Sequence, residues 1–140
     1  MRIIGIDYGL KRIGIAVTDP SQIIASALDT VSPEKFFDFI AAYFAEEAVE
    51  AVVMGEPKKL DNTDADIMPQ VKKLVKTFSE KYPNIPVYWQ DERFTSKEAQ
   101  RLILESGIKK MKRRDKSLTD KVSASVILKD WMITTGRWKI

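Results

Sequence analysis

An α/β fold, with a mixed five-stranded sheet and helices on both faces, is what the chain predicts, on three observations. The first 31 residues read as three short β-rich runs in hairpin order. From residue 32 onward, segments of helical periodicity alternate with apolar, strand-like runs. No internal repeat, low-complexity tract or linker interrupts the sequence, and 140 residues, 44% of them hydrophobic, suffice for one core and not for two, so a single domain over 1–140 is expected. Strands in hairpin order followed by alternating helices and strands place antiparallel and parallel neighbours in one sheet.

The elements follow in order. Residues 2–7 are apolar on both faces, as a buried central strand requires, and Tyr8-Gly9 makes a turn into a second strand, Arg12–Thr18. Gln22–Val31 reads as the third. Ser32-Pro33-Glu34 is a helix start, serine as N-cap and proline at the first position, with Phe36, Phe37, Ile40 and Phe44 as its periodic apolar face. Glu50–Gly55 is a buried strand centred on Val52-Val53-Met54. Pro69 opens a second helix through Val71, Leu74, Val75 and Phe78, and Ile85–Gln90 is the fifth strand. Thr95-Ser96-Lys97-Glu98 has the form of a capping box for a helix carrying Leu102, Ile103 and Leu104 and ended by Gly107; a last helix is expected from about Ser117 to Thr134. Counted off, this is the element order of the ribonuclease H-like fold.

Composition narrows the chemistry. Without cysteine there is neither a disulfide framework nor a thiolate zinc site, and without histidine there is no Ser–His triad and no imidazole-ligated metal. Catalysis must rest on carboxylates, lysine, hydroxyls or a hard cation, and carboxylate oxygens suit Mg²⁺ or Mn²⁺. No apolar run approaches the roughly 18 residues of a membrane span, and Arg2 comes too early for a secretory leader, so a cytoplasmic protein is expected. The net charge is only +3, but Lys109, Lys110, Lys112, Arg113, Arg114 and Lys116 crowd one segment opposed only by Asp115. So local a patch implies contact with a polyanion, and like-charge repulsion implies poor order without it.

Three acids stand out. Asp7 lies at the carboxyl end of an apolar strand, where open α/β sheets place their sites, although Asp-x-Gly is also an ordinary turn sequence. Asp91-Glu92-Arg93 repeats the arrangement after the fifth strand; alternation puts Glu92 with Tyr88 and Gln90 and Asp91 on the other face, without saying which face bears a site. Asp120 shares a helical stripe with Ala124, Ile127 and Trp131, which should face the sheet. The bland alternative for it is an acid in a helix's first turn, worth a few tenths to about 1 kcal/mol. Glu56, at the end of the Val52-Val53-Met54 strand, is a rival. Three ionised carboxylates cannot crowd together without cations between them, and two ions roughly 3.5 to 4 Å apart suit phosphodiester hydrolysis.

The residues resemble the YqgF family, also described as Holliday-junction resolvases and as the nuclease maturing the 5′ end of the 16S rRNA precursor. The likeness spans nearly the whole chain. Gly5-Ile6-Asp7-Tyr8-Gly9-Leu10-Lys11-Arg12-Ile13-Gly14-Ile15-Ala16 is similar to the family's opening, and Val53-Met54-Gly55-Glu56-Pro57 with Asp61 to its second motif. Asp91-Glu92-Arg93-Phe94-Thr95-Ser96 resembles the third and Asp120–Leu128 the fourth. The resemblance implies Asp7, Glu92 and Asp120 as catalytic and metal-binding acids, preferring Glu92 to Asp91. Ser96, Ser123 and Asn62 depart from the residues usual there, threonine, alanine and glycine, and leave the acids intact.

The resulting expectation is a nuclease with two Mg²⁺ or Mn²⁺ ions acting on structured RNA, with branched DNA as the alternative substrate. Lys11, Arg12, Arg93 and the basic segment from Lys109 to Lys116 are the expected backbone contacts. A sugar-kinase or actin-like ATPase also follows its first strand with Asp-x-Gly, but needs two such domains to clamp a nucleotide. A non-catalytic RNA-binding assembly factor is the reading of another class, separable by an activity assay with metal. No interface stripe fixes an oligomeric state.

Overall fold

The computed structural model describes residues 1–58, 65–92, 95–105 and 116–137, the side chains of residues 95–98, 100 and 116 excepted. Five strands, β1 (Arg2–Tyr8), β2 (Ile13–Thr18), β3 (Ala25–Val31), β4 (Val49–Glu56) and β5 (Val87–Asp91), form one sheet in the order β3-β2-β1-β4-β5. The first three pair antiparallel, while β4 runs parallel to β1 and β5 parallel to β4. The carboxyl ends of β1, β4 and β5 therefore open at the same edge of the molecule. This is the mixed sheet of a ribonuclease H-like fold.

Alternation along the strands divides the core in two. Ile4, Ile6, Ile13, Ile15, Val52 and Met54 face α1 (Phe36–Glu46) and α2 (Met68–Lys81), whose Phe36, Ile40, Met68, Val71 and Phe78 fill that side. Ile3, Ala16, Ala51 and Val53 face the last helix, α4 (Lys116–Thr134), through Ala124, Ile127, Leu128, Trp131 and Met132. The stripe expected from periodicity is the buried one. A further helix, α3 (Thr95–Glu105), lies against α4 and buries Ala99 and Ile103.

Several strand ends shift by one or two residues, β4 running Val49–Glu56 and β5 Val87–Asp91 where the sequence predicts Glu50–Gly55 and Ile85–Gln90, and two boundaries differ by more. The third strand begins at Ala25 and not at Gln22, because Asp19 Oδ1 accepts the backbone N–H groups of Ile23 (2.7 Å) and Ile24 (2.8 Å) and Gln22 turns the chain at φ 57°. A side chain that offers the backbone such a partner competes with the ladder. Ser32 makes no side-chain cap; a short 3₁₀ turn, Pro33–Lys35, precedes α1 instead. Gly107, the expected helix stop, lies outside the described residues, as do the side chains of the Thr95–Glu98 capping box.

Candidate active site

Asp7 pairs with Gly14 across the β1–β2 ladder and shares the parity of Ile3, so its side chain stands on the α4 face of the sheet. In β5 the same face is marked by Tyr88, whose ring stacks on Trp131 of α4 at 5.2 Å. Glu92 follows Tyr88 in parity, and its backbone N–H is held by the Glu56 carbonyl at 3.2 Å, extending the β4–β5 pairing by one residue. Asp91 falls on the opposite face. So does Glu56, in step with Met54, and Lys58 lies 3.5 Å from its carboxylate. Of these neighbouring acids, Glu92 is thus the one on the Asp7 face of the sheet, the face whose ring α4 covers.

The Asp7 and Glu92 carboxyls meet through a hydrogen bond. Burial raises Asp7 to about 6, helped by the charge of Asp120 and opposed by the bond from Glu92. Burial likewise pushes Glu92 up to about 9, with the Asp7 charge, the bond to Asp7 and the Asp91 charge adding to it. The two carboxyls thus titrate as a pair, and burial makes them hold a proton above the ordinary carboxylate range. Glu92 Oε2 is buried and accepts no hydrogen bond from an N–H or O–H group.

Asp120 lies in the second turn of α4, close enough to Asp7 to disfavour its ionisation. Its own Oδ2 accepts a hydrogen bond from Arg12 Nε at 2.7 Å. Two glycines permit the approach. A Cβ on Gly14 would collide with the Asp120 carbonyl, and one on Gly55 would strike Glu92 Oε2 and come within 2.7 Å of Ile127 Cδ1. Thr30 Oγ1 on β3 holds the start of α4 from the other side, donating to the Ser117 carbonyl at 2.6 Å. Among the described residues no three acidic groups are arranged as a finished metal cage.

Residues 1–134 match the RuvX family, described as Holliday junction resolvase. The chain belongs to the RuvX family, the YqgF family of the sequence resemblance. A relative from Porphyromonas gingivalis is 46% identical over 136 residues, covering 97% of this chain and 99% of its own length. One from Christiangramia forsetii is 45% identical over 131 residues, covering 94% and 97%. Both carry the provisional name pre-16S rRNA nuclease. Among solved structures, the fowlpox virus resolvase with Holliday junction DNA superposes with a TM-score of 0.63 at 13% identity, covering 96% of this chain and 99% of that one. Thermus thermophilus RuvC with its junction substrate does so with a TM-score of 0.56 at 18% identity, covering 99% and 98%. At such identities the likeness concerns the fold.

Of the residues anticipated for this RuvX-family chain, Asp7, Glu92, Asp120 and Arg12 gather at one edge. Lys11 is exposed in the adjoining turn. Arg93, Lys109, Lys110, Lys112, Arg113 and Arg114 lie outside the described residues, as do Asp61, Asn62 and the side chain of Lys116. Sequence reasoning missed Gly14 and Gly55, although a lone glycine inside an apolar strand is a signal of close backbone approach. It also missed the Arg12–Asp120 pair, which nothing local could reveal across 108 residues.

Proposed function

We propose that the chain is a divalent-metal-dependent nuclease that uses Asp7, Glu92 and Asp120 to trim the precursor of 16S rRNA. That it hydrolyses phosphodiester bonds follows from its family and its relatives' names. The RNA substrate, the metal and the residue roles are our reading, and so is the treatment of residues 1–140 as one catalytic unit in the cytoplasm. No described helix is long and apolar enough to cross a membrane.

One observation carries the residue assignment: two half-buried carboxyls touch at the carboxyl ends of parallel strands, a third stands beside them, and the buried Oε2 of Glu92 has no donor to satisfy it. A buried oxygen in that state is expensive unless a proton or a cation occupies it. An all-oxygen set without histidine or cysteine fits a hard ion such as Mg²⁺ or Mn²⁺. When bound, the ions supply an activated water and neutralise charge on the scissile phosphate. The chain's own part is to fix the acids. Asp7 and Glu92 surrender their shared proton on loading, and the sheet and α4 keep the three carboxylates from relaxing apart. Arg12, Lys11 and, in our reading, Arg93 and the basic segment from Lys109 to Lys116 hold the phosphate backbone, offsetting the repulsion that three acids would exert on it.

The substrate test is direct. A 16S rRNA precursor, an unstructured RNA and a four-way DNA junction are offered side by side in Mg²⁺, Mn²⁺ or chelator, with the wild type and Glu92→Gln. Metal-dependent cleavage of the precursor at a defined 5′ position, absent in Glu92→Gln, is expected. Preferred and symmetric cutting of the junction, the activity in the family's description, would replace RNA by branched DNA. Unchanged cleavage in chelator would reject the metal, and no cleavage of any substrate would leave the RNA-binding assembly factor.

A further inference from the structure

The three acids are gathered but not yet assembled. Asp7 and Glu92 are in contact, whereas Asp120 is bonded to Arg12, and no set of three described acids forms a ready cation site. Arg12 belongs to the turn joining β1 and β2, five positions beyond Asp7. Its side chain is 37% exposed and that of Asp120 25%, so the pair is neither sealed from solvent nor from a docking polyanion. The bond to Asp120 is made by Nε, without the second parallel bond that makes an arginine–carboxylate fork strong. Partly exposed ion pairs of this kind are weak and readily exchanged.

A guanidinium recognises a phosphodiester as well as it does a carboxylate. A nucleic acid laid across the three acids would thus compete for the group that occupies Asp120. We propose that Arg12 is a latch on the third acid: it withholds Asp120 from cation binding in the free protein and releases it when a backbone phosphate takes the guanidinium. Divalent cation and nucleic acid then bind cooperatively, each improving the other's affinity by the same factor, as linkage requires. The latch makes Arg12 a positioning residue acting through Asp120, and it rests on the reading of the three acids as cation ligands. Its benefit is specificity of timing, since a complete two-ion site exists only where a phosphate backbone is already in place.

The experiment uses the full chain, Mn²⁺ followed by electron paramagnetic resonance, and a hydrolysis-resistant 2′-O-methyl phosphorothioate RNA stem-loop as the polyanion. In the wild type the stem-loop should tighten Mn²⁺ binding on the order of tenfold, and Mn²⁺ should tighten stem-loop binding equally. Arg12→Ala should bind Mn²⁺ more tightly than the wild type without the stem-loop and lose most of the coupling; Arg12→Lys should restore part of it. Lys121→Ala removes the same charge one residue from Asp120 without touching the bond, and should keep the coupling. Asp120→Asn, which lacks the ligand to be released, should show Mn²⁺ affinity indifferent to the stem-loop and decides the matter if Arg12→Ala does not fold. Unchanged or weaker Mn²⁺ binding in folded Arg12→Ala, equal effects from Lys121→Ala, or full Mn²⁺ binding by the wild type with no coupling would overturn the latch alone. If Mn²⁺ binds the wild type in neither state, the latch and the cation reading fall together.

Discussion

The two faces of the sheet are packed by opposite means. Toward α1 and α2 the space is filled by large side chains, Phe36, Ile40, Met68 and Phe78, with Phe44 edge-on to Tyr82 at 4.9 Å. Toward α4 the sheet presents small residues, Gly14, Ala16, Ala51 and Gly55, so that the helix backbone itself comes down onto the strands. The first arrangement buries apolar area and can absorb modest changes in shape. The second spends apolar volume to bring Asp120 beside Asp7 and to let Glu92 fold back over Gly55. The same molecule thus keeps stability on one face and geometry on the other, and substitutions on the two faces should separate these quantities.

The largest effect is expected at Asp7. Asp7→Asn should lower cleavage by more than about 100-fold, the upper end of what even an outer-shell change costs a metal site, while circular dichroism shows the fold intact. Because burial holds the Asp7 pKa near 6, ionised Asp7 is a liability in the metal-free protein. Above pH 6 and without metal, the amide variant should therefore melt no lower than the wild type. Wild-type activity in Asp7→Asn would end the claim that the α4 face is the working one.

Next comes the metal itself. Asp7 and Glu92 have raised folded pKa values, about 6 and about 9, so the stability they allow is fully present below the ordinary carboxylate range and is lost as pH rises through those values. Metal-free protein should weaken from about pH 4 to pH 9. With no histidine in the chain, no ordinary side-chain titration obscures the middle of that range. Mg²⁺ or Mn²⁺ at 100 times its dissociation constant should restore about 2.7 kcal/mol at pH 8, and Asp7→Asn should gain much less. Thermal melts across pH, with and without the ion, check the sign.

Gly14→Ala should cost about 1–3 kcal/mol, the range for forcing volume into a packed site. Its Cβ meets the Asp120 carbonyl, which is backbone and cannot rotate away, so activity per folded molecule should fall as well. Smallest is Ile40→Val on the opposite face, about 0.5–1.5 kcal/mol by denaturant titration with activity per folded molecule unchanged. A loss of specific activity in Ile40→Val equal to that in Gly14→Ala would dissolve the distinction between the faces.

Much of this was legible in the residues. Asp7 could be placed because an apolar run ends in a charge, and Asp120 because its neighbours at helical spacing are Ala124, Ile127 and Trp131, all of them buried. Glu92 could not be separated from Asp91 by alternation alone, since that requires knowing that α4 covers Tyr88. The start of β3 was misread because Asp19 diverts two backbone donors that the pattern assigns to a strand. Arg12 was seen as a phosphate contact, but its partner lies on another element and only the fold unites them. Gly14 and Gly55 were available as signals, their meaning depending on what sits above them.

The hairpin of β1 and β2 also sets an order of events. It brings Asp7, Arg12 and Gly14 together through neighbours in sequence, so this portion of the site needs no long loop closure. Asp120 reaches Arg12 across 108 residues, and Ser117 reaches Thr30 across 87. Contacts so remote form after local ones, once their loop entropy has been overcome. A refolding chain should accordingly regain much of its strand and helix signal before it regains cleavage, with α4 docking as the step that turns an inert αβ scaffold into a nuclease.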